Sequence, residues 1–184
     1  MSTAIINLSK NANFSRFFSK VGDCLAQKMD IAIVGDISKS MKKGHRDKLI
    51  NLVKSLVDKK GISAEGNHIA IVTFGSQASI KTDFKDNKYY SAKSVKDKIN
   101  KEFRQNPGKA GTRTDLVLNL ALKNLFIPAA GDRPDAQNLM LIFTDGKPWI
   151  GKWDDRKMIP FEDSTEALEV LSLKPYLTFI RFIG

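Results

Sequence analysis

The alternation of short apolar runs with amphipathic helical patterns constrains the fold of this chain most strongly. The runs are rich in β-branched residues and cover 30–36, 68–75, 139–146 and 177–184. Runs of this kind predict strands that are buried on both faces, as in a parallel sheet. Because right-handed crossovers between parallel strands place helices on both faces, we predict an α/β fold with a doubly wound, mostly parallel sheet.

Helical patterns separate the predicted strands and cover 46–60, 91–103, 114–126 and 163–171. The first carries its apolar residues on one face and stops before Gly61, a residue that commonly follows a helix end. The third is apolar nearly all round, which predicts a well-buried helix. Residues 78–84 follow the second strand through a tight link and alternate in polarity, so we predict an antiparallel edge strand there.

Length and hydropathy indicate one domain, since the chain has 184 residues and 42% of them are hydrophobic. No run of about 18 apolar residues is present to span a membrane, and the first residues lack the apolar core of a signal peptide. Residues 1–27 carry phenylalanines at helical spacing, so we predict an amphipathic segment that packs on the domain or on a partner. Residues 28–184 form the predicted domain.

The charge balance favours anionic partners. The net charge is +10 and the isoelectric point is about 9.7, which suits acidic proteins, sulfated glycans, nucleic acid or anionic membranes. The alternative is a basic protein whose lysines only keep it soluble. Cys24 is the single cysteine and excludes an internal disulfide, so it is either a buried thiol or half of a bridge to another chain.

Oxygen-bearing side chains follow the predicted strands. Asp36, Ser38 and Ser40 come directly after the first strand, Thr112 precedes the buried helix, and Asp145 ends a later strand. In open α/β sheets, ligands bind beyond the carboxyl ends of the strands, so we expect these residues to converge. Hydroxyl and carboxylate oxygens suit Mg²⁺ or Mn²⁺ and would leave a coordination position for an outside ligand. Each motif alone would be read as a turn or a helix cap.

The ordered motifs "DISKS", "AGTRTDLVLNLAL" and "LIFTDGKP" resemble those of von Willebrand factor type A domains, which carry a metal-ion-dependent adhesion site. The resemblance covers about residues 24–184 and implies a Rossmann-like fold. It implies that Ser38, Ser40 and Thr112 bind the metal directly, while Asp36 and Asp145 act through water. It also implies that a Glu or Asp of a partner, such as collagen or another matrix protein, completes the coordination shell.

Two features depart from the family pattern. The family continues beyond "FIRFIG" through a helix, a strand and a helix, so we expect a fragment or an abbreviated fold. Residues 177–184 would then form an uncovered edge unless another segment, for which we suggest 13–25, lies against it. The other departure is a set of cations beside the predicted metal ligands. Such cations weaken a divalent site but attract anionic ligands. We predict that Lys39, Arg113 and Lys147 contact the ligand, and that the aromatic Trp149, in the loop after Asp145, does so too.

Other functions also place polar residues after the first strand of an α/β sheet. Phosphatases that form an aspartyl-phosphate also place an Asp after the first strand, but they have a second Asp where this chain has Ser38. No nucleophile elbow or Walker loop is present, so we predict that the chain is not an enzyme. A polyanion-binding module, for glycosaminoglycan or nucleic acid, and an intracellular scaffold domain are the alternatives. We predict an extracellular location, because the resemblance places a cysteine before the first strand in secreted members and Asn7 and Asn13 begin glycosylation sequons. The cytoplasm is the alternative, which the lack of a leader in this chain would suit.

Overall fold

A computed structural model describes residues 4–8, 28–105, 111–144 and 177–182. One six-stranded sheet has the order β1-β6-β5-β2-β3-β4. Its strands are β1 Ala4–Leu8, β2 Met29–Asp36, β3 His68–Phe74, β4 Ala78–Thr82, β5 Gln137–Thr144 and β6 Leu177–Phe182. All neighbouring strands are parallel except β3 and β4, which are antiparallel. The predicted sheet, with its antiparallel edge strand, is confirmed.

Three α-helices are described: α1 Lys43–Lys59, α2 Ala92–Phe103 and α3 Thr114–Leu120. Short 3₁₀ turns cover Asn87–Tyr89 and Pro128–Ala130. The predicted helix 114–126 is only partly α-helical, because a π-helical turn, Ala121–Leu125, continues α3. There the amide of Phe126 bonds the carbonyl of Ala121, five residues back, at 2.9 Å. The predicted helix 163–171 lies outside the described residues.

Alternate residues of the central strand β2 face two different helical layers. Ile31 and Ile33 pack in a cluster with buried residues of α1 and α2, whereas Ala32 and Val34 pack in a cluster with α3. These four side chains have no exposed surface. The run reads as continuously apolar in the sequence because both faces of β2 are covered, as the sequence predicts.

The outer edge of β6 is paired with β1. The two strands are parallel, with Ala4 opposite Thr178 and Leu8 opposite Phe182. The segment suggested from the sequence for this edge, residues 13–25, lies outside the described residues. The division of the chain at residue 27 stays a prediction, and β1 falls within its first segment.

A buried ion pair fixes the amino-terminal edge of the sheet. Asp30, at the start of β2, is fully buried, and its Oδ1 lies 2.8 Å from Nη2 of Arg133. The backbone amide of Arg133 donates to Oδ2 of Asp30 at 2.8 Å, and its Nη1 donates to the carbonyl of Gly66 at 2.9 Å. The arginine therefore joins three separate segments of the chain.

Among the described residues, no helix is long and apolar enough to cross a membrane.

Candidate metal centre

The carboxylate of Asp36 lies at the carboxyl end of β2 and is fully buried. Its Oδ1 accepts a hydrogen bond from the backbone amide of Ser38 at 2.8 Å, and its Oδ2 accepts one from the hydroxyl of Thr144 at 2.6 Å. Thr144 is the last residue of the neighbouring parallel strand β5. Hydrogen bonds to an ionised acceptor are among the stronger ones in proteins, so the carboxylate is held by its own loop and by a second strand.

The hydroxyls of Ser38 and Ser40 lie together just beyond Asp36. Their Oγ atoms are 2.9 Å apart. Ser38 is buried and Ser40 is exposed, and the amide of Met41 closes a turn on the carbonyl of Ser38 at 3.1 Å. In an octahedral shell with metal–oxygen distances of about 2.1 Å, neighbouring ligand atoms lie about 3.0 Å apart. The serine pair thus has the spacing and the chemistry of two adjacent Mg²⁺ or Mn²⁺ ligands.

The turn between β3 and β4 connects the serine loop to the loop of Thr112. The amide of Ile37 donates to the carbonyl of Phe74 at 2.8 Å, and the amide of Arg113 donates to the carbonyl of Gly75 at 2.8 Å. Thr112 is buried. The loops on either side of the turn are therefore fixed through backbone bonds to adjacent residues, Phe74 and Gly75.

Two glycines lie where these loops approach each other. A Cβ on Gly75 would lie 3.4 Å from the backbone nitrogen of Ser38, which is an ordinary van der Waals contact. A Cβ on Gly111 would lie 3.1 Å from Cα of Ser76, and Gly111 has φ +133°, a conformation that other residues rarely adopt. The glycine before Thr112 is therefore required by backbone conformation as well as by space.

Arg113 is bonded within the chain. Its Nε donates to Oδ1 of Asp115 at 2.8 Å, and its Nη2 donates to Oδ2 at 2.5 Å. The hydrogen bond to Asp115 raises the pKa of Arg113. Burial acts to raise the pKa of Asp115, but the hydrogen bond and charge of Arg113 outweigh it and the pKa lies below its ordinary value. The contact of Arg113 with a ligand stays a prediction. In the structure, its guanidinium already has Asp115 as an acidic partner.

The remaining predicted residues divide between exposed and undescribed positions. Lys39, which lies between the two serines, is exposed, and so are Lys42 and Lys43 at the start of α1. The first turn of α1 contains no acidic residue. Asp145, Lys147 and Trp149 lie outside the described residues, so their predicted roles stay predictions. Within the described ranges, no group of three or more His, Cys, Asp or Glu side chains could hold a metal ion.

Sequence reasoning missed Thr144 as a contributor to the site. It directly precedes Asp145 in the "TDG" motif, and its position at the end of a strand beside β2 was the available signal. The structure brings Asp36, Ser38 and Ser40 together and ties the loop of Thr112 to theirs through Phe74 and Gly75. Two adjacent serine hydroxyls and one fixed carboxylate are therefore gathered at this edge of the sheet, and the role predicted for the Thr112 hydroxyl stays a prediction.

Known proteins share this sequence pattern and this fold. Residues 30–169 match the family described as von Willebrand factor type A domain. Matrilin-3 of Mus musculus is 27% identical over 130 residues, which is 69% of this chain and 26% of matrilin-3. The chain spans 20–27% of the length of the matrilins it matches first.

Two solved structures have the same fold at low sequence identity. Proximal thread matrix protein 1 from the mussel byssus, with a zinc-occupied MIDAS motif, has a TM-score of 0.66 at 22% identity, over 86% of this chain and 38% of that one. The manganese-loaded TRAP protein of Plasmodium vivax has a TM-score of 0.69 at 16% identity, over 86% of this chain and 58% of that one. Likeness at this level of identity shows a common architecture.

Proposed function

The chain belongs to the von Willebrand factor type A domain family, and on that premise we propose that it binds a divalent cation, Mg²⁺ or Mn²⁺, and through it an acidic residue of a partner protein. The observation that carries this proposal is the Ser38 and Ser40 hydroxyl pair, 2.9 Å apart, beside the fixed carboxylate of Asp36. Hard cations prefer such oxygen donors.

The proposed roles follow from how each side chain is already bonded. Ser38, Ser40 and Thr112 bind the cation directly. Asp36 accepts hydrogen bonds at both oxygens. We therefore propose that it contacts the cation indirectly, through bound water and neighbouring hydroxyls. We propose the same indirect contact for Asp145. With few charged ligands from the protein, the bound cation supplies an electrophilic position for a carboxylate from outside.

We propose a matrix protein as the partner, with collagen or a collagen-like chain bearing an exposed Glu or Asp as the first choice. Two related proteins carry the names matrilin and thread matrix protein, which supports a matrix ligand and an extracellular location. The exposed Lys39, Lys42 and Lys43 beside the site attract an acidic partner electrostatically. Cytoplasmic placement, with a scaffold role, is the alternative.

We propose a non-catalytic role. In the aspartyl-phosphate alternative, Asp36 is the nucleophile and requires a free, accessible oxygen. Asp36 has no exposed surface, and each of its oxygens accepts a hydrogen bond. That arrangement favours a supporting role for the carboxylate over nucleophilic attack.

The test measures binding to a triple-helical collagen-like peptide with one Glu in each strand, with a Gln-substituted peptide as the matched control. Surface plasmon resonance is run with Mg²⁺, with Mn²⁺ and with EDTA. We expect binding to the Glu peptide with either cation, and loss of it with EDTA or with the Gln peptide. Binding that is the same for both peptides and resists EDTA would contradict the proposal.

A further inference from the structure

The positive charge of this chain is concentrated on one helical layer. Residues 42–60 and 92–104, which contain α1 and α2, hold twelve Lys and Arg against four Asp and Glu. Residues 114–126 of the opposite layer hold one Asp and one Lys. Most of the net charge of +10 therefore lies on the α1/α2 layer.

Every carboxylate of the α1/α2 layer already has a basic partner. The pairs are Arg104 with Asp47 at 3.3 Å, Lys96 with Asp58 at 2.5 Å, Lys93 with Asp97 at 3.3 Å and Lys98 with Glu102 at 3.0 Å. Exposed lysines remain, among them Lys48 on α1 and Lys101 on α2. Within the described ranges, neither has a carboxylate within 4.0 Å. The uncompensated charge thus faces solvent.

Side-chain contacts across the two helices hold them antiparallel. Asp47 of α1 meets Arg104 just after α2, Lys54 donates to Asn100 at 3.4 Å, and Asp58 meets Lys96. From Asp47 to Asp58 the axis advances about 16 Å at 1.5 Å per residue. The surface is therefore a pre-formed basic strip, and a ligand need not order it on binding.

Like charges crowd at the end of α1. Burial lowers the pKa of Lys60, and the neighbouring charge of Lys59 lowers it further. A polyanion lying along the strip would relieve such repulsion, because it brings negative charge near both ammonium groups.

We propose that the outer face of the α1/α2 layer is a second binding surface of this chain, for a linear sulfated polysaccharide. Ten of its twelve cations are lysines, which act as flexible point charges, whereas nucleic-acid recognition favours the planar fork of Arg. Phe103 is the only Phe, Tyr or Trp of α1 and α2, and it is fully buried. The nearby rings of His45 and Tyr89 are only partly exposed, and the ammonium of Lys98 already lies 5.9 Å from the centroid of Tyr89. The strip therefore lacks a row of exposed rings on which successive bases could stack. It recognises charge density along a chain, as repeated sulfates provide.

This surface can bind its ligand without the metal site. The basic strip runs along the sides of α1 and α2, and its lysines and arginines are charged whether or not a divalent ion is bound. The two binding activities are therefore separable by chelation, which affects the acidic-peptide ligand and leaves glycan binding intact. Salt should weaken glycan binding more strongly than peptide binding, because the glycan contacts more cations.

The test uses heparin as the probe, with its unsulfated precursor polysaccharide as the ligand control. The variant is Lys48→Gln/Lys101→Gln, and the matched control is Lys81→Gln/Lys123→Gln, which removes two lysines from β4 and from the turn after α3. We expect a roughly thirtyfold loss of heparin affinity in the first variant, about fivefold for each lysine removed from beside the polyanion. The control and EDTA should leave the affinity unchanged.

Several results would overturn the proposal. They are equal losses in the two variants, equal binding of the unsulfated polysaccharide, loss of binding with EDTA, or tighter binding of a DNA oligonucleotide of matched charge. We expect both variants to fold, because all four lysines lie at exposed or partly exposed positions. Circular dichroism of both variants checks this.

Discussion

The hydroxyl of Thr144 donates a 2.6 Å hydrogen bond to Oδ2 of Asp36 and so joins the carboxyl ends of β5 and β2. Thr144→Val keeps the shape of the side chain and removes the hydrogen-bond donor. We expect it to weaken Mn²⁺ binding by about tenfold, as is usual for residues that hydrogen-bond to a metal ligand without binding the metal. Isothermal titration calorimetry measures the effect.

The matched control for Thr144→Val is Thr82→Val. Thr82 is also a buried strand threonine, and its Oγ1 accepts from the amide of Ile71 at 2.9 Å, on β3 and away from the site. We expect Thr82→Val to lower stability but to leave Mn²⁺ affinity unchanged. Equal effects of the two variants on Mn²⁺ affinity would show that the Thr144 bond matters only for folding.

The Arg113–Asp115 pair stabilises the turn from the Thr112 loop into α3. We expect Arg113→Lys to lower the free energy of unfolding by about 1 kcal/mol, because Lys cannot replace the two-pronged contact. Asp115→Asn should cost a similar amount, and the double variant less than the sum of the two. Chemical denaturation of all four proteins gives the coupling energy; additive losses would mean that the pair does not contribute.

Gly35 faces the ring of Phe103, and a Cβ at Gly35 would lie 2.6 Å from Cε1 of that ring. We expect Gly35→Ala to lower the free energy of unfolding by about 1–3 kcal/mol through overpacking. Adding Phe103→Leu should recover part of the loss by vacating space. If Gly35→Ala is neutral in thermal and urea unfolding, the contact is not as tight as described.

The Asp30–Arg133 ion pair is the strongest candidate for a structural charge in the fold. We expect Arg133→Gln to lower the free energy of unfolding by about 3 kcal/mol, because it leaves the fully buried Asp30 carboxylate without its counter-ion. Lys28→Gln is the control, since its bridge to Asp135 is largely exposed and exposed ion pairs contribute little to stability. Similar losses in the two variants would contradict this assignment.

The sequence predicted the architecture well because hydrophobic periodicity reports burial directly. The run at β2 reads as continuously apolar since Ile31 and Ala32 face different helical layers. The π-helical turn after α3 was not predicted, because its apolar pattern fits an α-helix equally well and only the Phe126–Ala121 hydrogen bond distinguishes the two. Pairing of β1 with β6 was also missed, since parallel pairing between chain segments so far apart leaves no local signal.

The candidate site was only partly predictable for a similar reason. The order of Asp36, Ser38 and Ser40 indicated oxygen ligands, and the structure places the two hydroxyls within 2.9 Å. The hydrogen bond from Thr144 and the support from Gly75 depend on which strands and turns become neighbours. Those neighbours follow from the sheet order, which a motif does not contain. The role of Arg133 was hidden likewise, because its partner Asp30 lies 103 residues earlier.

Direct titration of Mn²⁺ and Mg²⁺ into the wild-type chain, Ser38→Ala and Asp145→Ala tests the central claim most directly. Calorimetry should show one site in the wild type, and affinity should fall by at least about tenfold in each variant, because each loses an oxygen donor or its supporting charge. Lys81→Gln serves as a folded control with unchanged affinity. No binding of either cation by the wild type, or equal affinity in all four proteins, would contradict the assignment of this site.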